Sequence, residues 1–130
     1  MSGDPIFLTV EQVIDVHRRG IKQHGGSGEL RDRGLLESAV ATPAARFGGQ
    51  FLHEGIPAMA AAYLFHLCKT HPFVDGNKRV SITAAEVFIE LNDLRLEATD
   101  KELERLTLGV ADSSISKREA TQFFETHLKK

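Results

Sequence analysis

Cysteine is almost missing from this chain. Cys68 is the only one in 130 residues, so no internal disulfide can form, and a reducing compartment is the expected home. A basic excess is missing too: the formal net charge is -2, which argues against a broad nucleic-acid-binding surface. No hydrophobic run is long, since the longest, Ile56 to Leu67, is about half the roughly 20 residues that cross a membrane. The N-terminus, Met1-Ser2-Gly3-Asp4-Pro5, lacks the basic-then-apolar build of a secretory signal. Repeats, low-complexity tracts and interdomain linkers are absent as well. What is present is ordinary for a globular protein, 42% hydrophobic and 26% charged, in a length that suits one domain with one core. A soluble cytoplasmic protein is expected, with residues 1–130 as a single domain and neither membrane nor nucleic acid as a partner.

Hydrophobic spacing and turn residues predict a mainly helical fold. Thr9 followed by Gln12 resembles a capping box, and Val10, Val13, Ile14, Val16 and Ile21 form a helical stripe behind it. Gly25-Gly26-Ser27-Gly28 ends that helix, Asp32 is placed to cap a second, and Pro43 interrupts or restarts it. Residues 46–51 read as irregular or briefly extended, because Gly48 and Gly49 disfavour helix and strand interiors. A third helix is predicted from Pro57 to about Thr70, apolar nearly all round and therefore central. His71 to Asp75 is a loop, since Pro72 disfavours helix before it and Gly76 breaks helical continuity after it. A fourth helix runs from Gly76 or Asn77 to about Leu91, and Leu94 to Ala98 is a possible short strand. Asp100 is expected to cap a fifth helix through Val110. Ser116 with Glu119 caps a sixth that buries Ala120, Phe123, Phe124 and Leu128. The predicted architecture is all-α, a helical bundle around a central apolar helix with at most a short strand or flap.

One stretch carries more chemistry than the scaffold needs: His71-Pro72-Phe73-Val74-Asp75-Gly76-Asn77-Lys78-Arg79. At the start of a helix, free backbone N–H groups and the partial positive charge of the dipole make an anion site. Gly76 permits a tight turn and a close phosphate, and Asn77 offers an amide. Lys78 and Arg79 add a point charge and a planar fork. Asp75 would be repelled by bare phosphate, so its natural task is to hold a Mg²⁺ that the phosphates share. A neutral imidazole is a sound general base near pH 7, which suits His71 to deprotonating an attacking hydroxyl. Phosphoryl or nucleotidyl transfer is the reaction class these residue types imply.

Plainer roles compete with these. His71 alone would be a hydrogen-bonded loop histidine, Asp75 a helix cap, Lys78-Arg79 a solvated face, and Phe47-Gly48-Gly49 only a turn. His66 lies five residues before His71, not at the i,i+4 spacing of paired zinc ligands, so packing is its expected role. His17, His24, His53 and His127 have no ligand spacing either. Cys68 reads as a small core residue.

The stretch His71 to Arg79 also resembles the signature of the Fic/Doc family, His-Pro-Phe-x-Asp/Glu-Gly-Asn-x-Arg, at every defined position. Gly25-Gly26, Arg31-Asp32-x-Gly34-Leu35-Leu36-Glu37-Ser38-Ala39 and Phe47-Gly48-Gly49 are similar to its compact death-on-curing (Doc) branch. The resemblance implies an all-helical Fic/Doc domain. His71 would be its general base, Asp75 the Mg²⁺ ligand, Gly76, Asn77, Lys78 and Arg79 its nucleotide and phosphate site, and Phe73 the buried anchor of the loop. Phe47, Gly48 and Gly49 would form a flap that aligns the target by its backbone.

Lys78 decides the branch. AMP-transferring relatives carry glycine there, leaving room for a nucleotide phosphate. Lysine fills that room, which in the Doc branch goes with reversed ATP and transfer of its γ-phosphate. The resemblance thus implies a protein kinase acting on a translation factor, with elongation factor Tu as the family target. Pro72 and Gly76 are choices of the wider Fic family, and Val80 stands where threonine is common, so AMP transfer remains open. Self-inhibited relatives carry Ser/Thr-x-x-x-Glu-Gly/Asn, but Gln50 stands four residues before Glu54-Gly55. Without that inhibitor, the implied biology is the toxin of a type II toxin–antitoxin system, restrained by a separate antitoxin docked in a surface groove. A ribonuclease toxin, with Lys78 and Arg79 on a scissile phosphate, and a non-catalytic antitoxin-binding module are further alternatives.

Overall fold

Local side-chain capping sets four of the six α-helix starts among the described residues. In the computed structural model, which describes residues 3–130, helix α1 (Val10–His24) opens on Thr9. Its hydroxyl accepts from the Gln12 N–H while the Gln12 side chain accepts from the Thr9 N–H, the reciprocal pair expected from the sequence. Helix α2 (Arg33–Ala41) opens on Asp32, and Pro43 restarts the chain as a 3₁₀ turn, Thr42–Ala44. Strands β1 (Arg46–Phe47) and β2 (Gln50–Phe51) pair as a tight hairpin. Its turn is Gly48-Gly49, at φ 60° and 81°, backbone angles that glycine adopts without a Cβ penalty.

Helix α3 (Gly55–Thr70) is central, with Met59 to Leu64, Leu67 and Cys68 buried. It begins two residues before Pro57, which is tolerated in the first turn because that N–H would lack a helical partner anyway. Helix α4 (Asn77–Leu91) lies against it, followed by β3 (Arg95–Leu96), α5 (Asp100–Ala111), α6 (Lys117–His127) and β4 (Leu128–Lys129). Two expectations need correcting here. The fifth helix is capped by Thr99, not Asp100, because only Thr99 has a Glu three residues on to complete the box. Leu128 belongs not to α6 but to β4, where it pairs with Leu96, and both it and Phe123 are only half-buried.

The N-terminal segment is stitched on from two sides. The Leu8 N–H donates to the Tyr63 hydroxyl at 2.9 Å, and Asn92 bonds both the N–H and the carbonyl of Ile6. Burial pushes the Tyr63 phenol up to about 12, so it stays protonated through the physiological range. Burial also raises the Cys68 thiol, which makes it an inert core residue rather than a nucleophile. No helix among the described residues is long and apolar enough to cross a membrane.

The junction of α3 with α6 carries an acid sensitivity. Lys117 Nζ sits 3.2 Å from His53 Nε2 and 3.1 Å from His66 Nε2. Burial, then the charge of Lys117, depress His53, and burial followed by Lys117 and His53 takes His66 down to about 4. A base depressed in the folded state takes up its proton more readily when unfolded. Its stabilisation is therefore complete above the ordinary histidine value of about 6.5 and is lost as pH falls toward 4. For half-exposed His66 the loss is on the order of 1 kcal/mol after discounting for solvent screening. Denaturant melts at pH 7.5 and 4.5 are expected to differ by this step, and His66→Phe to reduce the difference.

Candidate active site

Helix α3 ends at His71 rather than at a glycine. His71 adopts φ 50° and ψ 58°, a left-handed conformation in which a Cβ costs about 1–2 kcal/mol. A distant side chain supports this ending. Arg31 donates through Nε to the His71 carbonyl at 2.6 Å and through Nη2 to the Thr70 carbonyl at 2.8 Å. The next peptides are held by the same loop: the Arg31 and Asp32 N–H groups donate to the Pro72 carbonyl, and the Val74 N–H donates to the Glu29 carbonyl. The His71 ring itself is exposed and makes no hydrogen bond among the described residues.

Phe73 turns inward and is 2% exposed. Its ring stacks on His17 with centroids 3.7 Å apart and planes 7° apart. His17 is buried as well, and its Nε2 lies 2.7 Å from the Asp75 carbonyl, so that nitrogen carries the proton and donates it. From the other side, the Asn77 amide accepts from the Phe73 N–H at 3.0 Å and donates to the Phe73 carbonyl at 2.9 Å. Buried Asn77, expected to orient a phosphate oxygen, spends its amide oxygen and one amide N–H on the loop.

Asp75 is exposed, with Oδ2 accepting from the Ser27 N–H at 2.8 Å. It does not cap α4. The cap position is Gly76, at φ 80°, where a Cβ would come within 3.2 Å of Ile21 Cδ1 and 3.4 Å of His17 Nε2. A glycine cap brings no side-chain acceptor, so the first N–H groups of α4 remain open to an anion. Lys78 and Arg79 stand exposed beside them, and neither forms an ion pair among the described residues.

Two clefts flank α4. One of about 540 Å³ lies between α4 and α5, bordered by Lys78, Arg79, Glu86 and Asp100. The other, about 320 Å³ between α1 and α4, is bordered by His17, Gly20, Gly76 and Arg79. Arg79 borders both and His71 borders neither. Gly20 leaves room for Arg79, since a Cβ there would lie 3.3 Å from Arg79 Cδ. Phe47 projects from the hairpin at 79% exposure, away from the core that the other phenylalanines fill.

Sequence reasoning missed His17 and gave Arg31 no task of its own. The signal for His17 was its place on the apolar stripe of α1 between Val13 and Ile21. A histidine on a buried face needs a polar partner, and here the partner is the motif's own backbone.

The fold and this site define a helical protein that presents one polar loop at the mouth of an uncapped helix. The Fic/DOC family model matches residues 7–89, and the chain belongs to that family. The match ends within α4, leaving α5 and α6 outside it. Among curated relatives, the chain is 40% identical over 84 residues to "Toxin Doc" of Mycolicibacterium smegmatis (strain ATCC 700084 / mc(2)155), a stretch covering 65% of each chain. It is 28% identical over 109 residues to "Protein kinase doc" of Escherichia phage P1, covering 84% of this chain and 85% of that one.

Proposed function

We propose that this chain is the toxin of a toxin–antitoxin pair and works as a Doc-like protein kinase. It transfers the γ-phosphate of ATP to a hydroxyl of a translation factor, with elongation factor Tu as the family target. On this reading residues 1–130 act as one Fic/Doc domain in the cytoplasm. The observation that carries it is Lys78, exposed with Arg79 at the uncapped start of α4, one loop away from the exposed His71. The relative named as a protein kinase supports the same choice.

In this mechanism the open N–H groups of α4, with Lys78 and Arg79, hold and orient the triphosphate. His71 accepts the proton of the target hydroxyl as its oxygen bonds to the γ-phosphorus. The bond from that phosphorus to the β,γ-bridging oxygen breaks, and ADP leaves. Asp75 fits a Mg²⁺ ion: its carboxylate is exposed, one oxygen is steadied by Ser27, and hard oxygen ligands are what this cation takes. Bound there, Mg²⁺ would neutralise phosphate charge. Asn77 fixes Phe73, and with it the direction of the loop, and its second amide N–H orients a phosphate oxygen. An extended target segment would lie against the edge of the β1–β2 hairpin at Phe47, Gly48 and Gly49. The antitoxin would restrain the enzyme in trans from one of the two clefts that Arg79 borders.

AMP transfer is the second reading, favoured by Gly76 and Pro72 as choices of the wider family. Incubating candidate translation factors with Mg-ATP labelled at the γ- or the α-phosphate separates the two. A target that gains γ-label and the mass of a phosphate supports the kinase, whereas α-label and the mass of AMP replace it with the alternative. RNA cleavage without nucleotide would overturn both.

Arg79 offers an independent check. Gly20→Leu places a good helix former in α1 but fills the space Arg79 occupies. It is expected to weaken ATP binding about tenfold, the scale of one charge-assisted contact. Isothermal titration measures this, and an unchanged affinity would remove Arg79 from the phosphate site.

A further inference from the structure

We propose that Arg31 is a positioning residue that sets the direction of the His71 side chain from the opposite side of the loop. The inference rests on the reading of His71 as general base. Its geometric half stands without that reading.

A helix that ends in the left-handed conformation usually does so on glycine, and its open carbonyls are taken by backbone N–H groups just beyond. Neither condition holds at the end of α3. The residue is His71, whose φ of 50° carries a Cβ, and the Thr70 and His71 carbonyls are both bonded by the Arg31 guanidinium, about 40 residues upstream. The match is chemical as well as geometric. The C-terminal end of a helix is its negative end, and a planar fork can satisfy two carbonyls where an ammonium directs a single charge. If these bonds are lost, the cheapest relaxation of His71 is into the extended region, since Pro72 disfavours the helical one for the residue before it. That removes the left-handed strain and swings the Cα–Cβ bond, and the imidazole with it.

The effect is confined to the base. The Pro72 carbonyl and the Val74 N–H are held by backbone groups of residues 29–32, which do not depend on the Arg31 side chain. Asp75 is held by Ser27 and His17, and Asn77 clamps Phe73. Removing the guanidinium therefore frees Thr70 and His71 while the phosphate cradle from Asp75 to Arg79 keeps its supports. Arg31 is itself exposed, so its loss opens no cavity.

The test compares the full chain with Arg31→Ala and Arg31→Lys in two measurements. The ¹³Cα and ¹³Cβ shifts of His71 report its backbone conformation whatever the protein catalyses. Steady-state transfer from γ-labelled ATP separates kcat from KM. The expected result for Arg31→Ala is His71 shifts moving out of the left-handed range and kcat falling by about 10–100-fold, the scale of a misplaced catalytic group. The KM for ATP stays within about twofold, and Arg31→Lys falls between. Unchanged His71 shifts and unchanged kcat in folded Arg31→Ala overturn the proposal, as does a loss that appears in KM rather than kcat. Should the alanine variant fail to fold, the same outcomes are read on Arg31→Lys. A wild-type chain that transfers no phosphate defeats the kinase reading alone, and the His71 shifts still decide whether Arg31 holds the backbone.

Discussion

His71→Ala is expected to lower phosphate transfer by about 10²–10⁴-fold, the range of a positioned general base, and to remove toxicity. Stability and antitoxin binding should stay near the wild-type values. The reason lies in what the side chain does not do. The ring is exposed and unbonded among the described residues, so its removal leaves neither a cavity nor an orphaned partner. The Arg31 bond that anchors residue 71 reaches its backbone carbonyl, which alanine keeps. Three measurements on one variant check this: a denaturant melt, titration with antitoxin, and transfer from γ-labelled ATP. Transfer that persists in the folded variant would take the base out of the mechanism. A lost antitoxin complex would instead make the imidazole part of that interface.

Such separability was legible in the sequence only in part. Thr9, Asp32 and Ser116 were readable as caps because their partners lie three residues away, within the reach of local patterning. Thr99 was equally readable, but the neighbouring Asp100 is also a capping type, and only Glu102 distinguishes them. The polar loop stood out because its residues are contiguous. What steers it was hidden for the opposite reason. Arg31 meets His71 across 40 residues, and His17 meets Asp75 across 58. No periodicity encodes a contact of that separation. The direction of the Asn77 amide was hidden too, since an asparagine at a helix start can turn its oxygen to a backbone N–H while keeping an N–H for a phosphate.

Phe73→Ala is expected to have the largest effect on stability, a loss of about 3–5 kcal/mol. For a chain of this length that lowers the melting midpoint on the order of 10–20 °C. Three supports converge on this residue: the stack on His17, the two bonds exchanged with Asn77 and the bridge to Leu30. Alanine keeps the backbone bonds but leaves a void beside a buried imidazole, which can then tilt and loosen its hold on the Asp75 carbonyl. Transfer activity should therefore fall even at temperatures where the variant is fully folded. The neighbouring Val74→Ala is the control. Val74 is 48% exposed, and its truncation should change stability by about 0.5 kcal/mol or less. A double-mutant cycle of Phe73→Ala with His17→Ala isolates the stack, with an expected coupling of about 0.5–1.5 kcal/mol. A coupling near zero would mean that Phe73 stabilises the core by burial alone. In that case the link from α1 through His17 to the polar loop would rest on the single hydrogen bond to Asp75.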